Sequence, residues 1–381
     1  MKYKTASFLS IALTIFIFIA APLALVIFAD PYQIYHKSFF DKVGYSREQV
    51  YQHAGWINRL LADPQQNYQS IVIGSSVMAN FAQPLFDEKM PSWGKVLNLS
   101  INGSVPIVQA AVAKYALLKN PDIKNILWDI HFLYVLDEPD HLEFPYYLYN
   151  EKKIDDGEYL FNATNLISSI KFIKGDFSGF TDNIKDNGPF YESLLAAGLF
   201  DKYKSIDLRK TLLPALQSAP TMSAQDEATI ASFQYPEVEK YLLDIIFPFC
   251  NADKELVITF SPPNRYWYAM QEDMHFLYMQ FYMRRYILER TSACKNVKVF
   301  AFDNVDWISG NITNYADYVH YNIAVNSYML ESIATGRHRL TSDNIGEYEE
   351  GFIRAVNGYR KQFADELTAM EKAAAKKPAS K

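Results

Sequence analysis

Two short stretches far apart in the chain carry side chains able to act together on an acyl carbon. Gly74-Ser75-Ser76 follows the apolar run Ile71-Val72-Ile73, and Asp317-Tyr318-Val319-His320 lies late in the sequence. A serine hydroxyl is a poor nucleophile at its free pKa. It needs an imidazole within hydrogen-bond reach and a carboxylate to fix that imidazole's tautomer. Ser76 is therefore the candidate nucleophile, His320 the candidate base and Asp317 the candidate orienting group. Three residues apart on one turn, the Asp317 and His320 side chains can lie on the same side, leaving the second ring nitrogen for Ser76. Each stretch alone has a plain alternative: Gly-Ser-Ser arises by chance, and Asp-x-x-His often caps a helix with a solvated histidine. Their order along the chain favours the joint reading.

The elements that must bring these residues together follow from periodicity. Gln69–Ile73, Lys95–Leu99, Asn125–Ile130, Glu255–Phe260 and Val297–Phe302 read as buried strands. Helices are expected over 46–62, 104–118, 270–290, 324–334 and 348–370, the last with apolar residues at steps of three and four. Strands alternating with helices at this spacing predict an α/β fold, a parallel sheet covered on both faces. Ligands of such sheets bind beyond the carboxyl ends of the strands, so a small-residue elbow after the first strand would present Ser76 there. The last strand precedes the loop of Asp317 and His320 and should bring the pair to the same edge. Between about 137 and 250 the pattern loosens into mixed helices and polar turns, read as an insertion that caps the site or meets a partner.

No residue from Ala6 to Ala29 is charged, a run of about 24 residues where roughly 20 suffice to cross a bilayer as a helix. Lys2 and Lys4 precede it and Asp30 follows, which orients the rest of the chain away from the cytoplasm. A cleaved signal peptide is the alternative. The expected organisation is a membrane anchor over 1–30, a juxtamembrane segment and helix over 31–67, a main domain over 68–371 and a disordered tail over 372–381. Localisation would be single-pass in the inner (cytoplasmic) membrane, with the main domain on the periplasmic or extracytoplasmic side.

Among 381 residues, 49% are hydrophobic and 21% charged, so one sizeable core is expected; the net charge of -6 offers no basic footprint for nucleic acid. Abundant tyrosine and phenylalanine could line a glycan cleft, although core packing accounts for most single rings. Cys250 and Cys294, each shortly before a strand, could meet as a disulfide or stay as buried thiols. No tandem histidine pattern or glycine-rich phosphate loop is present, so neither a metal nor a cofactor is expected. Asp129-Ile130-His131 at a strand end is a second candidate acid/base pair.

The arrangement from about residue 68 to residue 335 resembles the SGNH/GDSL hydrolase superfamily. Ser76 matches the serine of its first block, Gly103 in Asn98-Leu99-Ser100-Ile101-Asn102-Gly103 the glycine of its second, and Asp317 with His320 its last. The resemblance implies an SGNH-like three-layer sandwich with a parallel sheet, a central helical insertion and one N-terminal transmembrane helix. It also implies a Ser76–His320–Asp317 triad with an oxyanion hole of the Ser76 and Gly103 amides, helped by Asn102. The third-block asparagine has no match: Asp129 follows the third strand, and a carboxylate cannot donate to an oxyanion. Gly-Ser-Ser in place of Gly-Asp-Ser is similar to the membrane-anchored branch that includes the D-alanyl transfer protein of teichoic acid assembly and the alginate O-acetylation proteins. By that resemblance the chain would move an acetyl or D-alanyl group onto a cell-envelope polysaccharide, with a membrane-bound O-acyltransferase as partner. A carbohydrate esterase and a non-catalytic envelope scaffold are the alternatives.

Overall fold

The computed structural model describes residues 10–37 (except 12), 40, 42–44, 50–130, 144–182 (except 179), 246–250 (except 247), 253–269 and 275–375. Its centre is a six-stranded sheet. In chain order the strands are β1 (Lys42–Gly44), β2 (Tyr68–Ile73), β3 (Lys95–Asn98), β4 (Asn125–Asp129), β5 (Phe180–Asp182), β6 (Glu255–Phe260), β7 (Val297–Ala301) and β8 (Arg339–Leu340). The sheet runs β3-β2-β4-β6-β7-β8, parallel throughout except for the antiparallel edge strand β8. The five expected strands are thus present, within a residue or so at each end. Periodicity missed β8, and it missed the small antiparallel pair of β1 with β5, because such short strands carry no period.

Alternate residues of each central strand enter opposite cores. Ile71 and Ile73 of β2, Ile126 and Trp128 of β4, and Leu256 and Ile258 of β6 join the helices Pro106–Lys119 and His275–Thr291 in one core. Val72, Leu127 and Val257 join the helices Gln83–Lys89 and Ile323–Thr335 in the other. With both faces covered, the strands can be apolar without interruption. Ile71, Val72 and Ile73 are wholly buried, each worth roughly 1.5–3 kcal/mol of transfer free energy. The sheet is thereby a rigid base for whatever leaves its carboxyl edge.

Cys250 and Cys294 form a disulfide, because β6 and β7, the strands that follow them, are parallel neighbours. The helix Ile345–Ala375 packs on the short helix Arg265–Ala269, burying Phe352 and Val356. It takes in Lys372–Ala375, the start of the expected disordered tail, in keeping with the helix propensity of alanine and lysine. Residues 376–381 lie outside the described ones.

The N-terminal segment departs from the expected single spanning helix. A π-helical turn over Phe16–Ala20 precedes the α-helix Ala21–Ala29, and among the described residues no helix is long and apolar enough to cross a membrane. Pro22 has no N–H to give the Phe18 carbonyl, and the widened turn, closed by the Ala21 N–H on the Phe16 carbonyl, accommodates that loss. Asp30 does more than flank the segment. Its backbone turns left-handed, and its carboxylate accepts the N–H groups of Ile34, Tyr35 and His36, ending the helix and folding the next turn onto it. Most of the insertion, including 183–245, lies outside the described residues. Its described helix Ala163–Ile173 packs on Ala21–Ala29, and the Tyr35 hydroxyl donates to Asp156.

Candidate active site

The Gly74-Ser75-Ser76 elbow is pinned from three sides. The Leu99 and Ile101 N–H groups, just past β3, donate to the Val72 and Gly74 carbonyls, extending the β2–β3 pairing beyond the sheet. The Ser104 hydroxyl donates to the same Gly74 carbonyl at 3.0 Å. The Gln109 side-chain amide donates to the Ser104 carbonyl and in turn accepts the Trp128 indole N–H. The Asn98 side chain donates to the Met78 and Phe81 carbonyls beyond the elbow. Gly74 is required by close approach: a Cβ there would stand 2.5 Å from Met78 Cγ and 3.2 Å from Asp129 Cβ.

Ser76 opens the one-turn 3-10 helix Ser76–Met78 at the carboxyl end of β2. Its Oγ lies 2.7 Å from His320 Nε2, across 244 residues of sequence. His320 Nδ1 is 2.5 Å from Asp317 Oδ2. The other carboxylate oxygen, Oδ1, accepts the N–H groups of Val319 and His320 at 2.9 and 2.8 Å. Burial works to raise the Asp317 pKa, but the His320 ring and these two N–H groups outweigh it and hold the carboxyl below its ordinary 3.8. One acceptor oxygen thus fixes the loop while the other fixes the imidazole.

The pair does not lie on a helical turn. Asp317–His320 is a loop clasped by an antiparallel bridge between Tyr315 and Tyr321 and by the Ala316 N–H on the His320 carbonyl. The next helix starts at Ile323 with Asn322 as its cap. In the clasped loop one Asp317 carboxylate oxygen holds the Val319 and His320 N–H groups, as in an Asx turn, and the other reaches the His320 ring.

Gly103 and Asn102 sit half-buried in the loop that β3 extends toward the elbow, Gly103 at φ +70, a left-handed conformation that favours glycine. Among the described residues neither carries a hydrogen bond. The Ser76 N–H opens its turn, where the first amides have no partner within the helix. Asp129 is wholly buried behind the elbow. Its Oδ1 accepts the Ser261 N–H at 2.7 Å and the Thr259 hydroxyl at 3.1 Å, while Oδ2 has no partner among the described residues. Burial pushes its pKa up to about 7. It is therefore enclosed in the core, not exposed as an acid/base group, and His131 lies outside the described residues.

Sequence reasoning missed the supporting set of Asn98, Ser104, Gln109 and Trp128. Asn98 stood inside the quoted second block, but nothing local marks Gln109, whose role depends on a strand and a loop from elsewhere. Among the described residues no group of three or more His, Cys, Asp or Glu is placed to hold a metal ion. No protein-family model matches the chain, and a search of curated proteins found no match either.

Proposed function

We propose that this protein is a membrane-held, SGNH-like serine enzyme that transfers an O-acyl group, acetyl or D-alanyl, to a cell-envelope polysaccharide. The observation that carries the reading is the hydrogen-bonded series Ser76–His320–Asp317. Ser76 Oγ attacks the acyl carbonyl and its proton passes to His320 Nε2. The resulting imidazolium is stabilised by the Asp317 carboxylate, and the carbonyl oxygen becomes an oxyanion facing the Ser76 and Gly103 amides and the Asn102 side chain. Collapse returns the proton from His320 to the leaving oxygen and leaves an acyl-Ser76 ester. A sugar hydroxyl then gives its proton to His320 and attacks the ester; as the second tetrahedral intermediate collapses, His320 returns that proton to Ser76 Oγ and the acylated sugar departs.

Transfer is preferred to hydrolysis on the Gly74-Ser75-Ser76 resemblance to the membrane-anchored branch. A membrane-bound O-acyltransferase would then supply the acyl group. The uncharged run from Ala6 to Ala29 supports membrane attachment through its composition. In the test, full-length protein is treated with an active-site phosphonate and weighed intact. A single adduct on Ser76, absent from Ser76→Ala and His320→Ala, is expected, with activity lower by at least about a thousandfold in both. Absence of labelling would favour a non-catalytic scaffold. Release from a chromogenic acetate ester that oligosaccharide acceptor leaves unchanged would favour an esterase.

A further inference from the structure

The helix Ala163–Ile173 is turned against its own amphipathic pattern. Its inward positions are Asn165, Ser169 and Phe172, all buried, while Ile167, Ile170 and Ile173 are 56%, 37% and 43% exposed. The orientation is held by one polar contact outside the helix, the Asn165 side chain donating to the Tyr159 carbonyl, and by the packing of Phe172 and Leu166; the Asn162 cap and the Ser169 hydroxyl on the Asn165 carbonyl are bonds within the helix. Rolling the helix to bury its isoleucines would break the Asn165–Tyr159 bond and expose Phe172. Phe161 (63%) and Ile154 (91%), on the chain leading into the helix, are exposed as well.

What covers this stripe is indicated by its neighbour. The helix packs on Ala21–Ala29, where Phe28 is also exposed. Immediately before that helix, the large apolar side chains from Ile11 to Ile19 are between 47% and 75% exposed. Apolar surface on all sides of a helical rod suits lipid, whereas a protein partner would cover one side. The stripe belongs to the element packed at the base of that rod. Lys171 and Lys174, on and just after the last turn, can extend their stems to lipid phosphates.

We propose that the outward face of Ala163–Ile173 is a second membrane contact, lying in the headgroup–acyl boundary of the bilayer that takes the N-terminal segment. It would hold the sheet in a defined orientation to the membrane surface. The inference uses the membrane part of the reading above and none of its acyl chemistry.

The test uses the full chain in phosphatidylethanolamine/phosphatidylglycerol vesicles, with the native disulfide kept oxidised. An environment-sensitive maleimide is attached in turn to Ile170→Cys, Phe18→Cys and Glu331→Cys, the last on the opposite layer of the sheet. Blue-shifted emission at 170, quenched by a nitroxide lipid labelled near the headgroup and shielded from aqueous iodide, is the expected result, with 331 behaving oppositely. Iodide quenching at 170 equal to that at 331 would overturn the proposal. So would shielding from iodide without lipid quenching, which would mean that a protein or a second copy covers the stripe. Failure of the anchor reading itself is separately visible as loss of deep-nitroxide quenching at 18.

Discussion

Asp317 has two tasks in one carboxylate, and its environment has a pH consequence. Its folded pKa lies below the ordinary value, so its stabilising contribution is complete above about pH 4 and is lost as pH falls through the lower folded value. Asp317→Asn should keep the fold but lower kcat by about 10⁴-fold, since the amide misdirects the imidazole tautomer; steady-state kinetics alongside a melting curve would check this. Asp129 has the opposite sign. A carboxyl whose folded pKa is raised to about 7 binds its proton more tightly when folded. Stability therefore falls from about pH 4 up to about 7, by about 3 kcal/mol between pH 5 and 8. Asp129→Asn should remove that slope, read from urea midpoints across the range; an unchanged slope would place the titration elsewhere. The residues of the candidate triad were legible from their side-chain types together with an order along the chain that resembles a known hydrolase superfamily. The enclosure of Asp129 was not, since burial is decided by distant strands.

At the scale of elements, the elbow depends on what approaches it. Because a Cβ at Gly74 would press on Met78 and Asp129, Gly74→Ala should cost about 1–3 kcal/mol through overpacking and lower activity by displacing Ser76. Chemical denaturation with phosphonate labelling rates would separate these two effects; unchanged labelling would show that Met78 yields without moving the elbow. Strands and long helices were readable from sequence, since a buried parallel strand is an apolar run and a covering helix repeats every three to four residues. The form of the loop of Asp317 and His320 was not legible. Its conformation is set by the Tyr315–Tyr321 bridge and by Asp317 Oδ1, and an i,i+3 spacing cannot distinguish that from a turn of helix.

Across the whole molecule, two long-range ties hold the carboxyl-terminal half together. Asp303 and Arg284 form a fully buried ion pair at 2.8 Å, bonded also by the Tyr348 hydroxyl, which links two helices to the end of β7. The Cys250–Cys294 disulfide closes a loop of 44 residues, for which loop-closure entropy gives about 4 kcal/mol. Replacing both cysteines by serine should lower stability by about 2–4 kcal/mol, measured by urea unfolding under oxidising conditions, while phosphonate labelling of Ser76 persists. Periodicity determined the α/β class and the strand succession, and two short motifs in an order resembling a known superfamily marked the candidate triad, because hydrophobic period and reactive side-chain type are local properties. Only the tertiary structure decided the disulfide, the edge strand β8, the bridged His320 loop and the hydrogen-bonded supports of the elbow. Each of these depends on which distant segments become neighbours when the sheet closes its core, and no window of sequence contains that distance.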